Sequence, residues 1–178
     1  MKLFYALWPD AGTRATFADE DRTLFAGNGG KMVPPDEYHL TIRYLGETDD
    51  SLLPALLDLG QRAAATVPAS MVELDRVAWW KESRVMVRAS STTPDALVRL
   101  DNALSVGLKA AGVVIAARPL KLHLTLVRRI NPHPLGTGAV PPLAWSADQL
   151  ALVGSAGGAA KGPRYTVLGQ WPFVGAMG

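Results

Sequence analysis

The chain contains no cysteine, and this absence excludes several kinds of chemistry at once. Disulfides, thiolate zinc sites, iron–sulfur clusters and cysteine nucleophiles all need a thiol, and a chain without one is consistent with a reducing compartment. Histidine is scarce as well, with three residues among 178. Any metal site would therefore depend on three imidazoles and 16 carboxylates.

Long apolar runs and long basic runs are also absent. No segment approaches the roughly 20 apolar residues that a membrane-spanning helix needs, and the opening apolar segment is too short for the core of a signal peptide. The chain has 18 Lys and Arg and 16 Asp and Glu, which gives a net charge of +2. We expect a cytoplasmic protein without membrane contact. A protein that binds a duplex by charge usually has a basic run, so if the partner is a nucleic acid, we expect a local contact, at an end or a single phosphate.

The length fits one domain, and its patterns predict a mixed fold. Short segments rich in apolar, β-branched and aromatic residues predict strands at 3–7, 38–45, 71–80, 84–89, 122–130, 148–153 and 164–171. A period near 3.6 predicts helices over 11–26, from Asp49 to Val67 and from Thr93 to Gly112. Residues 131–142, with four Pro and two Gly, are predicted to be a loop. Several strands are joined too closely for parallel crossovers, so the class is α+β with largely antiparallel sheet.

One four-residue motif occurs twice. His39-Leu40-Thr41-Ile42 returns as His123-Leu124-Thr125-Leu126, 84 residues later, and both copies lie in predicted strands. In a strand, residues i and i+2 share a face, so each His stands beside its own Thr while the intervening Leu faces a core. The repeat predicts a single bilobal domain, 1–178, made of two related halves whose His-x-Thr edges face one cleft.

Two imidazoles suit phosphodiester chemistry. Cleavage needs a base on one side of the phosphorus and an acid on the other. Near neutral pH a neutral His can act as the base and a protonated His as the acid. The Thr hydroxyls can donate to phosphate oxygens. A single copy of the motif is more typical of an ordinary half-buried strand, but two copies favour catalysis. Metal binding by His39 and His123 is the weaker hypothesis, because no Asp or Glu stands at ligand spacing beside either residue. The third histidine, His133, is expected in a loop.

The motifs resemble those of the 2H phosphoesterases, in particular the bacterial and archaeal RNA 2′,3′-cyclic phosphodiesterases historically called 2′-5′ RNA ligases. The likeness spans nearly the whole chain and is carried by residues 39–47 and 123–128, with 3–7 similar to the family's first strand and 164–168 and 171–172 similar to its closing strand. Two positions depart from the family pattern. Met32 stands where the family has an aromatic residue, and Leu122 where it has a proline before the second His.

The resemblance implies two pseudo-symmetric halves with a cleft between two antiparallel sheets, and hydrolysis of an RNA 2′,3′-cyclic phosphate end to a 2′-phosphate, without metal or other cofactor. It implies that His39 is the general acid that protonates the departing 3′ oxygen and that His123 is the base that activates water. Thr41, Thr125 and Arg128 would bind the phosphate.

Other residues are candidates for substrate contacts beyond the phosphate. The candidate stacking surfaces are the aromatic residues near the motifs and the chain ends: Phe4, Tyr5, Tyr38, Tyr44, Tyr165 and Trp171. Lys31, Arg43 and Lys161 are candidate contacts to an RNA backbone. The alternative functions are a phosphodiesterase for a small cyclic nucleotide, 2′-5′ ligation as the reverse reaction, and a non-catalytic module that binds RNA ends. A monomer is expected.

Overall fold

The computed structural model describes residues 1–24, 29–130, 137–156 and 163–175. Its strands are β1 (Lys2–Leu7), β2 (Lys31–Met32), β3 (Leu40–Glu47), β4 (Ser70–Trp80), β5 (Val85–Ala89), β6 (His123–Arg128), β7 (Gly138–Ala147), β8 (Gln149–Ser155) and β9 (Tyr165–Pro172). Its α-helices are α1 (Ala11–Leu24), α2 (Leu53–Ala64) and α3 (Asp95–Ala110). The predicted α+β class is confirmed.

The strands form one sheet in the order β7-β4-β5-β6-β3-β1-β8-β9, with β2 beside the end of β6. Every pairing between these strands is antiparallel. A single residue pair, Leu40 with Leu124, joins β3 to β6 in the middle. The two sheets that the resemblance implies are therefore two strand groups, β3-β1-β8-β9 and β6-β5-β4-β7, that meet edge to edge at this pair.

The first strand group takes its strands from both ends of the chain, and the second takes them from the middle. Each group places one His-x-Thr strand at its inner edge. That the two groups are related halves of one domain stays a prediction.

The helices pack on the face of the sheet that carries Leu40 and Leu124. Helix α2 covers the first group, where the Tyr5 hydroxyl donates to the Leu56 carbonyl at 2.6 Å. Helix α1 covers the second group, with Phe17 edge-on to Trp145 on β7 at 6.3 Å between ring centroids. Both leucines are fully buried in the main core. The opposite face of the sheet is consequently left for the motif side chains.

Two arginines are buried on the helix side and are held by carboxylates. Arg88, 1% exposed, donates to Asp21 on α1 at 2.6 Å and to the Leu74 carbonyl at 3.0 Å. Arg43, 8% exposed, makes a two-point pair with Asp101 on α3, with 2.8 Å from Nε to Oδ1. The expectation that Arg43 contacts an RNA backbone is therefore wrong, because its guanidinium is buried and paired with Asp101.

The predicted loop 131–142 is corrected by the structure from residue 138 onward, where β7 begins. Residues 131–136, with His133, lie outside the described residues, as does Lys161. Among the described strands, β7 is an edge strand that pairs only with β4, and the register slips between Leu74 and Arg76, opposite Pro141 and Pro142. Prolines cannot donate to a ladder but are tolerated at edges and bulges. The prediction of a loop from the number of prolines was therefore wrong for residues 138–142, which belong to β7.

Candidate active site

The register of the central pair brings the two motifs together. Because β3 and β6 are antiparallel and Leu40 lies opposite Leu124, His39 falls opposite Thr125, and Thr41 falls opposite His123. Residues on either side of a buried Leu point to the other face. By this register the four side chains lie on the face of the sheet opposite to Leu40 and Leu124, where each His has its own Thr along the strand and the other motif's Thr across it.

Each imidazole is held by the carbonyl two residues before it. His39 Nδ1 lies 2.7 Å from the Glu37 oxygen, and His123 Nδ1 lies 2.7 Å from the Lys121 oxygen. A carbonyl only accepts, so Nδ1 carries the hydrogen in both rings. In the neutral imidazole Nε2 is then the unprotonated nitrogen, which is able to take a proton or, once protonated, to give one.

His39 is enclosed by three aromatic rings, which we call the aromatic cluster: Phe4, Trp8 and Tyr165. Their ring centroids lie 5.0, 5.3 and 4.9 Å from that of the imidazole, and Trp8 is stacked on it at 11°. This burial lowers the pKa of His39 to about 4, against the hydrogen bond to Glu37, which favours the charged form. The charges of Arg128, His123 and Arg164 lower the pKa further. His39 is therefore neutral at pH 7.

His123 lies in a similar but more open setting. Its ring packs on Trp80, with 4.4 Å between centroids, and Trp80 reaches it from the end of β4. Burial lowers the pKa of His123, as does the nearby charge of Arg118, while the hydrogen bond to Lys121 opposes the shift. Both imidazoles are thus neutral at pH 7, and neither Nε2 is hydrogen-bonded to a described residue.

Arg128 is linked to the first strand group through Tyr165. Its Nη2 donates to the Tyr165 hydroxyl at 3.2 Å, and Arg164 Nε donates to the same oxygen at 3.2 Å. Arg164 is in turn 3.8 Å from the Glu37 carboxylate. Arg128 Nε is buried and has no hydrogen-bond partner in the part of the chain that the structure describes. A buried cationic donor without an acceptor is a group that an anion would satisfy.

Sequence reasoning located the four motif residues and Arg128 but missed much of their surroundings. Trp8 and Trp80 were not singled out, and Arg164 was named only within the closing segment. The alternation of Phe4 and Ala6 along β1 with Trp8, the residue after it, would have placed an apolar surface beside His39. The candidate stacking residues Tyr5 and Tyr38 are buried, whereas Tyr44 is exposed.

Thr41 and His123 line an open cavity of about 970 Å³, whereas His39 is not among the residues that line it. Among the described residues, no group of three or more His, Asp or Glu side chains is placed to hold a metal ion. Within the same residues, no helix is long and apolar enough to cross a membrane.

Comparison with known proteins identifies the family. A sequence model of the LigT-like phosphoesterases matches residues 9–87. The chain is 32% identical to the RNA 2′,3′-cyclic phosphodiesterase of Thermus thermophilus, over 100% of this chain and 93% of that protein. It is 30% identical to the RNA 2′,3′-cyclic phosphodiesterase of Escherichia coli, over 97% of each.

The chain belongs to the LigT-like phosphoesterase family. Its fold agrees with that of a solved family member, E. coli LigT in complex with 3′-AMP, at a TM-score of 0.81 and 28% identity over 97% of this chain and 98% of that one. This LigT-like chain therefore shares its architecture with a nucleotide-binding relative over nearly its whole length.

Proposed function

We propose that this LigT-like phosphoesterase hydrolyses the 2′,3′-cyclic phosphate at the end of an RNA to a 2′-phosphate, with His39 and His123 as its acid and base. The observation that carries the proposal is the register of Leu40 with Leu124, which brings two His and two Thr onto one face. The activity named for the T. thermophilus and E. coli relatives supports the choice of substrate.

In the proposed reaction, a water oxygen bonds to phosphorus while His123 Nε2 takes its proton. The bond between phosphorus and the 3′ oxygen breaks, and His39 Nε2, protonated at that stage, gives its proton to the departing oxygen. The phosphate remains on the 2′ oxygen. Proton exchange with solvent returns the two imidazoles to their starting states, and no redox change or second substrate is involved.

The phosphate would be held by Thr41, Thr125 and Arg128. The Thr hydroxyls donate to non-bridging oxygens, where negative charge must be stabilised through the transition state. Arg128 Nε, which has no partner among the described residues, supplies a charged donor. The bound anion also offsets the cationic charges that depress the pKa of His39, and so favours the protonated form that the acid role requires.

The proposal keeps the sequence-based expectations for partners and location. All five residues come from one chain, which is consistent with a monomer whose partner is an RNA end, and the absence of cysteine is consistent with the cytoplasm. Light scattering on the purified protein gives the mass of the particle and checks the monomer directly.

The decisive test is incubation of the protein, in chelator, with a short RNA ending in a 2′,3′-cyclic phosphate, followed by phosphorus NMR of the product. We expect a 2′-phosphate from the wild type and its loss in His123→Ala, with Arg99→Ala on the outer surface of α3 as control. Tight binding without turnover would favour the RNA-end binding module, and turnover of a cyclic mononucleotide alone would favour the small-substrate alternative. Activity that is lost in chelator would restore a metal mechanism.

A further inference from the structure

Glu37 makes two different contacts, one through its backbone and one through its side chain. Its carbonyl accepts the hydrogen of His39 Nδ1 at 2.7 Å. Its carboxylate, 20% exposed, lies 3.8 Å from Nε of Arg164. A single residue therefore joins the imidazole of the candidate acid to the residue that precedes β9.

Arg164 extends this connection to Tyr165. Its Nε donates to the Tyr165 hydroxyl at 3.2 Å, and its guanidinium lies over the Tyr165 ring, 5.5 Å from the centroid. The same hydroxyl accepts from Arg128 Nη2, and the Tyr165 ring is edge-on to His39. The contacts from His39 through Glu37, Arg164 and Tyr165 back to His39 thus close on themselves, and we call them the contact circuit.

Pairing between strands does not set the distances in the contact circuit. In the described sheet, β1 and β8 lie between β3 and β9, and β3 lies between these strands and β6. The short 3₁₀ turn Pro35–Glu37 contains no buried residue. Within the described part of the chain, the pair with Arg164 is the one ion pair that a side chain of this turn makes. Side-chain contacts therefore hold the turn and Arg128 in place relative to Tyr165.

We infer that Glu37 and Arg164 are positioning residues for the proposed reaction, an inference that rests on the proposed function. Their ion pair holds the Glu37 carbonyl against His39, which keeps the hydrogen on Nδ1 and leaves Nε2 to exchange the catalytic proton. Arg164 also holds the Tyr165 hydroxyl where it accepts from Arg128, and so fixes the guanidinium that binds the phosphate. Neither Glu37 nor Arg164 lines the cavity at Thr41, so both act through other residues.

An effect of charge alone would give the two residues opposite roles. Arg164 attracts an anionic substrate and Glu37 repels it. The charge of Arg164 also lowers the pKa of His39, whereas a carboxylate at this distance favours the protonated imidazole. If charge is the cause, neutralising Glu37 and neutralising Arg164 therefore change kcat/KM in opposite directions. If the pair positions the site, both changes lower kcat/KM.

Kinetics on a short RNA with a 2′,3′-cyclic phosphate end test this sign. We expect Glu37→Gln and Arg164→Gln each to lower kcat/KM about two- to five-fold, the range of a partly exposed ion pair. The double variant should equal Arg164→Gln alone, because Glu37 acts through Arg164. The matched controls are Asp19→Asn and Arg22→Gln, which neutralise an exposed pair of 2.9 Å on α1 and should change nothing.

The outcomes separate this inference from the proposed function. Opposite signs for Glu37→Gln and Arg164→Gln would overturn the positioning role in favour of a charge effect, as would losses that multiply in the double variant. An active wild type with both single variants unchanged would overturn the positioning role and leave the proposed function standing. A wild type that hydrolyses no cyclic phosphate would refute the proposed function, and the positioning of His39 would then be decided by spectroscopy.

Nitrogen NMR of the full chain, labelled at histidine, measures the position of the imidazole hydrogen without turnover. The signals of His39 are identified by their loss in His39→Ala. We expect the hydrogen on Nδ1 in the wild type, and a larger share of the form with the hydrogen on Nε2 in Glu37→Gln and Arg164→Gln. His123, which is held by the Lys121 carbonyl outside the contact circuit, should not change. An unchanged His39 in both variants would overturn the inference.

Discussion

The pH dependence of kcat/KM follows from the way both imidazoles are buried. An acid–base pair is active only when one member is protonated and the other neutral, so kcat/KM follows a bell whose two limbs are set by the free protein. Burial lowers the pKa of His39 to about 4 and lowers that of His123 below its usual 6.5. Both limbs should therefore lie on the acid side of 6.5, with the maximum between them.

The slopes set the size of the effect. Above both pKa values, kcat/KM falls about tenfold for each pH unit, because the doubly neutral state becomes dominant. A cyclic phosphodiester stays a monoanion over this range, so the substrate adds no limb. The two apparent values belong to the coupled pair and hold whichever His is the acid.

The assay measures initial rates at substrate far below KM, from about pH 4 to about pH 9 at constant ionic strength. The kcat profile, at saturating substrate, should lie at higher pH than the kcat/KM profile, because a bound phosphate raises both pKa values. Circular dichroism controls for unfolding. Since the folded pKa of His39 is depressed, the unfolded chain binds the extra proton first, and stability falls as the pH drops from about 6.5 through about 4.

A maximum of kcat/KM at pH 7.5 or above, or a profile without an alkaline limb, would refute this reasoning. The first result would mean that the imidazoles are not desolvated in the working enzyme. The second would mean that at least one of them carries no proton in the reaction. An acidic limb that coincides with loss of the dichroism signal would be assigned to unfolding. The position of the alkaline limb alone would then test whether the imidazole pKa values are lowered.

Three further predictions concern individual side chains. Thr41→Ala and Thr125→Ala should each lower kcat/KM by a factor that corresponds to about 1–3 kcal/mol of lost transition-state stabilisation, because each loses a hydrogen bond to a charged group. The dichroism spectrum should not change. Tyr165→Phe should raise KM about tenfold with a smaller effect on kcat, because two guanidinium groups lose their shared acceptor. Asp101→Ala should cost about 3–5 kcal/mol in urea unfolding, because it leaves a buried arginine unpaired. Asp58→Ala breaks an exposed pair and should cost at most about 1 kcal/mol.

Much of the secondary structure could be predicted from local pattern. The Asp49 side chain accepts from the Ser51 amide where the predicted helix begins, and Gly112 takes a positive φ of 77° just past the end of α3. The hairpins β4–β5 and β8–β9 also lie close to their predicted places. These features depend on neighbours in the sequence, and so propensity and capping suffice to predict them.

Features that depend on distant partners were missed. Strand β7 exists because β4 supplies its hydrogen bonds, and no local pattern favours a strand through two prolines. The expected role of Arg43 was wrong because Asp101, 58 residues away, accepts its guanidinium. An arginine in a strand looks the same in sequence whether it faces solvent or a buried carboxylate.

The sequence by itself determined the motif, its repetition and the face of each strand on which His and Thr stand, since alternation is a property of the backbone alone. The tertiary structure decided how the two motifs meet. The single pair Leu40–Leu124 sets each His opposite the other motif's Thr. Rings from Phe4, Trp8 and Tyr165 pack around His39, whereas His123 lines the open cavity. Those contacts join residues far apart in the chain, and only the folded sheet fixes which of them become neighbours.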